Sequence, residues 1–142
     1  GTSYESEPSW SRDGTKVAFS SNVSGSTNIY YLNIDGSGGM QLTDDSEWKS
    51  RPNLSPDDTK LLYMTSDGDM EMAVKDLLTG ITIYPLRNTA TEYDIRWSSS
   101  GDKILFSSEM DGDFDIYIIN PDGSNMMKLT DNSTDDMYPE FR

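Results

Sequence analysis

The sequence predicts an all-β protein of short antiparallel strands, and three observations carry that prediction. Sliding the 142 residues against themselves lays "EPSWSRDGTKVAFSSN" over "RPNLSPDDTKLLYMTS" and "DIRWSSSGDKILFSSE", so the chain repeats. Trp10, Leu54, Trp97 and Phe141 share one repeat position, at spacings of 44, 43 and 44 residues. Inside each repeat the apolar residues come in short alternating runs cut by turn residues, which is strand patterning. A period of roughly 40 to 45 residues built from such runs is the signature of a β-propeller blade of four antiparallel strands. Three blades fill about 4–46, 47–90 and 91–133, and a fourth innermost strand is expected at 137–142.

Each element can be justified in chain order. The innermost strands read "EPSWS", "RPNLS" and "DIRWS", with "PEFR" as the fourth copy, and the second strands read "KVAFSS", "KLLYMT" and "KILFSS". Between them the turns "SRDGT", "SPDDT" and "SSSGD" place Gly14, Asp58 and Gly101 where positive φ is expected, which Gly accepts freely and Asp tolerates. The third strands, "NIYYLNI", "EMAVKDL" and "DIYIIN", lead through Asp35-Gly36, Thr79-Gly80 and Asp122-Gly123 into the outermost strands "GMQLT", "TIYPL" and "MMKLT". Such turns are hairpin chemistry. Trp10, Leu54 and Trp97 are expected in equivalent buried positions between blades.

Composition excludes more than it selects. With 25 acidic residues against 11 basic ones the net charge is -14, a field that repels nucleic acid and anionic membranes and attracts cations or basic proteins. The chain has no His and no Cys, which removes the usual general base, the thiol nucleophiles, zinc sites and disulfides. There is no G-x-S-x-G elbow, so no enzyme activity is expected. No apolar run reaches membrane-spanning length, and no signal peptide is expected within these residues.

Two groups of residues are candidate sites. Asp67-Gly68-Asp69-x-Glu71 lies over Asp111-Gly112-Asp113-x-Asp115, with Ser24-Gly25-Ser26-x-Asn28 as a neutral third copy. Asp67, Asp69, Glu71, Asp111, Asp113 and Asp115 could supply oxygen ligands to calcium, which takes six to eight, or could simply shape hairpin loops. The second group is aromatic and acidic. Trp48, Tyr93 and Tyr138 are expected in the blade-to-blade loops, where with Glu47, Asp94 and Asp136 they would meet a protein partner.

Pro-x-Trp-Ser, a turn of the "SPDG" kind, an apolar strand ending in Ser-Ser, and "DIYIINPDGSNMMKLT" together resemble the TolB-like (WD40-like) β-propeller repeat of bacterial envelope proteins and of the gating propellers of some serine peptidases. The resemblance covers almost the whole chain; the second repeat departs from it at "EMAVKDLLTG" and Pro85. It implies half of a six-bladed ring and a non-catalytic protein-binding module, periplasmic or extracellular. The alternative is a gating or substrate-channelling propeller from a larger hydrolase. Because three blades leave an open arc, two copies are expected to complete the ring as a homodimer; the inner strand at 137–142 is then either a strand-exchange latch on the partner or the start of a further blade in a chain cut from a longer propeller.

Overall fold

The computed structural model describes residues 3–66, 70–88 and 90–140. Blade 1 consists of β1 (Glu5–Trp10), β2 (Lys16–Ser21), β3 (Asn28–Asn33) and β4 (Met40–Gln41). Blade 2 consists of β5 (Lys49–Leu54), β6 (Lys60–Thr65), β7 (Glu71–Asp76) and β8 (Thr82–Ile83), and blade 3 of β9 (Glu92–Trp97), β10 (Ile104–Ser108), β11 (Asp115–Ile119) and β12 (Met127–Lys128). Each blade is one four-stranded antiparallel sheet in chain order, and there is no helix among the described residues. The outermost strands are two residues long, shorter than the sequence runs suggest. As sheet edges they have one pairing neighbour each, and short edge strands present little backbone for unwanted pairing.

The tight turns are built as the sequence predicts. Gly14, Asp58 and Gly101 take φ of 70°, 57° and 77°. In the first turn the Ser11 hydroxyl and the Thr15 backbone N–H both donate to Asp13 Oδ1, at 2.7 and 2.9 Å. Ser55 and Thr59 do the same to Asp57 at 2.6 and 3.1 Å. These donors hold the Asp13 and Asp57 carboxyls at about 2, the Ser hydroxyl being the largest cause.

The second set of hairpin turns differs in its surroundings. Gly36 and Gly123 take φ of 82° and 87°. A Cβ on Gly36 would meet nothing within 4 Å, whereas one on Gly123 would lie 2.5 Å from the carbonyl oxygen of Pro85 in blade 2. Gly36→Ala is therefore expected to cost about 1 kcal/mol of backbone strain, and Gly123→Ala about 2 to 3 kcal/mol because a backbone must also move. Thermal unfolding of the two variants checks the difference.

Two cores lie between the blades. Ala18, Ile29 and Leu42 of blade 1 pack on Leu54, Leu61, Tyr63 and Ala73 of blade 2. Leu62, Met64, Met72 and Val74 on the other face of blade 2 pack on Ile95, Trp97, Ile104, Phe106, Tyr117 and Ile119 of blade 3. There Trp97 Nε1 donates to the Asn53 carbonyl at 3.1 Å, and Phe106 stacks on Tyr117 with centroids 5.6 Å apart.

The expectation that Trp10 is buried like Leu54 and Trp97 is wrong. Leu54 and Trp97 are 8% and 9% exposed, and Trp10 is 64% exposed. The reason is that an anchor is covered by the blade before its own, and no sheet lies on that side of blade 1.

A further periodic feature sits in the innermost strands. Glu7, Arg51 and Asp94 take left-handed φ of 52°, 51° and 53° at the places where pairing with the second strand slips register. Tyr138, one period on, takes φ of 60° although residues 137–140 join no sheet. The tail thus carries the bend of an inner strand without its blade. Phe141 and Arg142 lie outside the described residues.

Candidate functional site

An antiparallel meander puts the tight turns at one end of every blade and the longer loops at the other. Most acidic residues at the turn end accept bonds within their own turns, while Asp58 pairs with Lys16 of blade 1 at 2.5 Å. Asp13, Asp57 and Asp102 accept from turn hydroxyls, as do Asp35, Asp76 and Asp122 in the second set. At the loop end Asp44, Glu109, Asp131 and Asp135 are exposed. Exposed carboxylates thus stand at both ends of the blades, those of the turn end kept ionised by their hydroxyl donors.

The acidic loop of blade 3 has an occupant of its own. Asp111, Asp113 and Asp115 bring one carboxylate oxygen each within 4.8 Å of one another. The Lys128 ammonium sits among the acids, 2.5 Å from Asp111, 2.9 Å from Asp115 and 2.7 Å from Asp131. Lys128 is the main cause of the depressed Asp111 carboxyl. Burial, and the bond that the Tyr117 hydroxyl donates to Asp111 at 3.0 Å, push Tyr117 up to about 12. Lys128 and Asp131 were not foreseen as members of this group, because Lys128 reaches Asp111 and Asp115 from another strand.

Asp115 also has a structural task. It is fully buried and accepts from the Thr130 hydroxyl at 3.0 Å, while Thr130 Oγ1 accepts from the Ile116 N–H at 2.9 Å. Blade 1 makes the same latch with Asn28, Thr43 and Ile29 at 2.8 and 2.9 Å. In blade 2 Glu71 faces Arg87 across 3.8 Å instead. Glu71 and Asp115 thus start the third strand of their blades and tie it to the chain beyond the fourth. Asp67 and Asp69 lie outside the described residues.

A buried acid not singled out by the sequence lies next to this latch. Glu92, 2% exposed at the start of β9, accepts from Asn88 Nδ2 at 3.2 Å. Burial, reinforced by the Glu71 charge, pushes its carboxyl up to about 7. The same repeat position holds Lys49 in blade 2, also buried and paired with Asp45.

The six residues proposed for a partner do not form one surface. Trp48, 39% exposed, and Glu47 share the loop before β5. Tyr93 is a correction: it is the second residue of β9, not of a loop, with its ring against Phe114 at 5.6 Å and under the Arg51 guanidinium at 4.8 Å. A strand position carried it inward because Arg51, on the neighbouring bulge, offers a cation to the ring face. Asp94 stands on the bulge itself and accepts from Ser107 at 3.4 Å. It lines a polar cleft of about 450 Å³ with Glu7, Trp10, Arg51, Asn53 and Arg96. Asp136 is held to Phe114 through its backbone N–H, and Tyr138, 76% exposed, follows it on the tail.

Stacked four-stranded antiparallel sheets, cored between blades and opening inner strands toward a common cleft, define a segment of a β-propeller. Comparison with known proteins makes this more specific. The chain is 31% identical over 129 residues to a protein TolB homolog of Chlorobium luteolum, a match covering 90% of this chain and 29% of that protein. Among solved structures, TolB from Acinetobacter baumannii superposes with a TM-score of 0.75 at 21% identity, covering 97% of this chain and 34% of that one. The putative TolB from Agrobacterium tumefaciens superposes with a TM-score of 0.74 at 23% identity, covering 92% and 50%. No family model matches the chain. The protein belongs to the TolB-like β-propeller repeat family and spans about a third of the length of the curated relatives it matches.

Proposed function

We propose that this chain is a non-catalytic propeller module that presents its acidic loop face to a protein with a basic surface, and that it acts as a homodimer in the periplasm or outside the cell. The observation that supports the reading is Trp48, exposed in the loop before β5 beside Glu47 and the exposed Asp44 and Asp45. No helix among the described residues is long and apolar enough to cross a membrane. A lysine-rich peptide titrated by calorimetry tests the proposal. Binding should weaken with salt, and Trp48→Ala should lower affinity about tenfold at unchanged charge. If Trp48→Ala and Glu47→Gln leave the affinity unchanged, the face is only generally acidic and the reading fails.

Calcium enters this proposal through blade 3. An ion bound by Asp111, Asp113 and Asp115 has to compete with the Lys128 ammonium for the same oxygens. Millimolar calcium is therefore expected to raise the melting temperature more in Lys128→Gln than in the wild type, by several degrees. A shift in neither protein removes calcium and leaves the loop a lysine-closed turn.

A further inference from the structure

The two junctions between blades are built from the same repeat, yet one is shut at the turn end and the other is open. At the junction of blades 2 and 3, a Cβ on Gly123 would lie 2.5 Å from the Pro85 carbonyl oxygen and one on Gly101 would lie 3.2 Å from Pro56 Cδ, so both turns of blade 3 sit directly on blade 2. Trp97 fills the anchor position there. At the junction of blades 1 and 2 the same three places hold Gly80, whose Cβ would meet nothing within 4 Å, Asp58, and the smaller Leu54. The turn at Gly80 is also longer. Its N–H donates to the carbonyl of Asp76, four residues back, whereas Gly36 and Gly123 donate to Asn33 and Asn120, three residues back. The space left between blades 1 and 2 is a pocket of about 260 Å³.

Tyr31, Met40 and Leu42 of blade 1 and Leu54 and Leu77 of blade 2 give this pocket apolar walls, and they stand on faces that the two blades already turn to each other. Its charged lining is one ion pair, Lys16 of blade 1 with Asp58 of blade 2 at 2.5 Å. We propose that the pocket binds a free α-amino acid with a large apolar side chain, whose carboxylate meets Lys16, whose ammonium meets Asp58, and whose side chain lies against the apolar walls. A lone anion would take Lys16 from Asp58 and leave a carboxylate unpaired in a chain of net charge -14, and a lone cation would strand Lys16 in the same way. A zwitterion replaces both partners at once. The volume lies just below the roughly 300 Å³ at which sites for drug-sized ligands begin, which suits a single amino acid, and the unbranched Met40 adjusts to rings or branched chains. This site is at the turn end of the blades and is separate from the acidic loop face.

Calorimetric titration with L-tryptophan and L-phenylalanine should give one site with a Kd of roughly 0.1 to 1 mM. Indole and N-acetyl-L-tryptophan, which lack the zwitterionic head, should bind at least about tenfold more weakly. Asp58→Gly installs the residue that the other two turns carry and suits the φ of 57° at that place, so it should fold as the wild type does and lower affinity for tryptophan about tenfold. Lys16→Met, with folding checked by circular dichroism, should do the same. Leu54→Trp, which copies the anchor of the closed junction, should weaken binding further by filling the pocket. No heat from either amino acid up to about 10 mM, indole binding as tightly as tryptophan, or wild-type affinity in both Asp58→Gly and Lys16→Met overturns the inference. Trp48→Ala should bind tryptophan unchanged, so a failure of the acidic-face reading and a failure of this one are told apart.

Discussion

Phe106→Ala is expected to lower stability by about 4 kcal/mol, while Phe19→Ala, at the same repeat position, costs about 1 kcal/mol in the monomer. Phe106 is 0% exposed, stacks on Tyr117, and has Met64, Met72 and Trp97 in the same core. Removing its ring leaves a cavity that two sheets must collapse around, and sheets fixed by backbone pairing on both sides relax poorly. Phe19 stacks on Tyr30 at 6.0 Å but has water beyond it, so truncation there removes a partial burial and leaves no enclosed void. Urea unfolding of both variants at low concentration measures the contrast.

Glu92→Gln is expected to raise stability at pH 8 by about 2 kcal/mol and to flatten its dependence on pH between 5 and 7. The Glu92 carboxyl titrates at about 7 in the folded chain against 4.5 for its ordinary value. Between those values the native protein keeps a proton that the unfolded chain has lost, so stability falls as pH rises through that window and levels off above it. Asp13 and Asp57 act in the opposite sense lower down. Their carboxyls are held at about 2 by the turn hydroxyls, so the stability they lend is present above the ordinary carboxylate range and is lost as pH falls toward 2. Stability is therefore expected to peak near the ordinary carboxylate range, and melting curves from pH 3 to 8 would show the peak. A Glu92→Gln variant that keeps the wild-type slope between pH 5 and 7 would mean that the buried acid is not its source.

The blades were legible because each is specified within its own repeat. Hairpin glycines, alternating strands and the Asp-centred turns are local chemistry, and Gly14, Asp58 and Gly101 took the backbone conformation their types suggested. Burial of an anchor is different, because it is decided by a neighbouring blade and not by the repeat that carries it. Trp10 and Trp97 are the same residue at the same position, and only the blade before each tells them apart. The candidate site was legible in composition and not in connection. Asp111, Asp113 and Asp115 do converge, but Lys128 reaches them from another strand, and nothing local announces that pairing. Glu92 was hidden for a related reason: a single acid in an acidic chain carries no mark of being buried beside Glu71. The bulge series Glu7, Arg51, Asp94 and Tyr138 was available from the period alone, at spacings of 44, 43 and 44, but four unlike side chains conceal a shared backbone conformation.

The middle blade's departure from the repeat pattern limits how freely the blades can be exchanged. Where blades 1 and 3 have Tyr30 and Tyr117, blade 2 has Ala73, fully enclosed in the core it shares with Leu54, Leu61 and Tyr63, with Tyr31 and Tyr84 packed against that core. A tyrosine at that place would have no room, since the space is already taken by Tyr31 of blade 1 and by Tyr84 of its own blade. Blade 2 is thus an adaptor, fitted on each side to a particular neighbour, while the end blades remain close to an interchangeable part. Duplicating an end blade to lengthen the arc is compatible with this architecture; substituting one for the middle blade is not, and a gene that grew by copying its repeats would have had to change this one first.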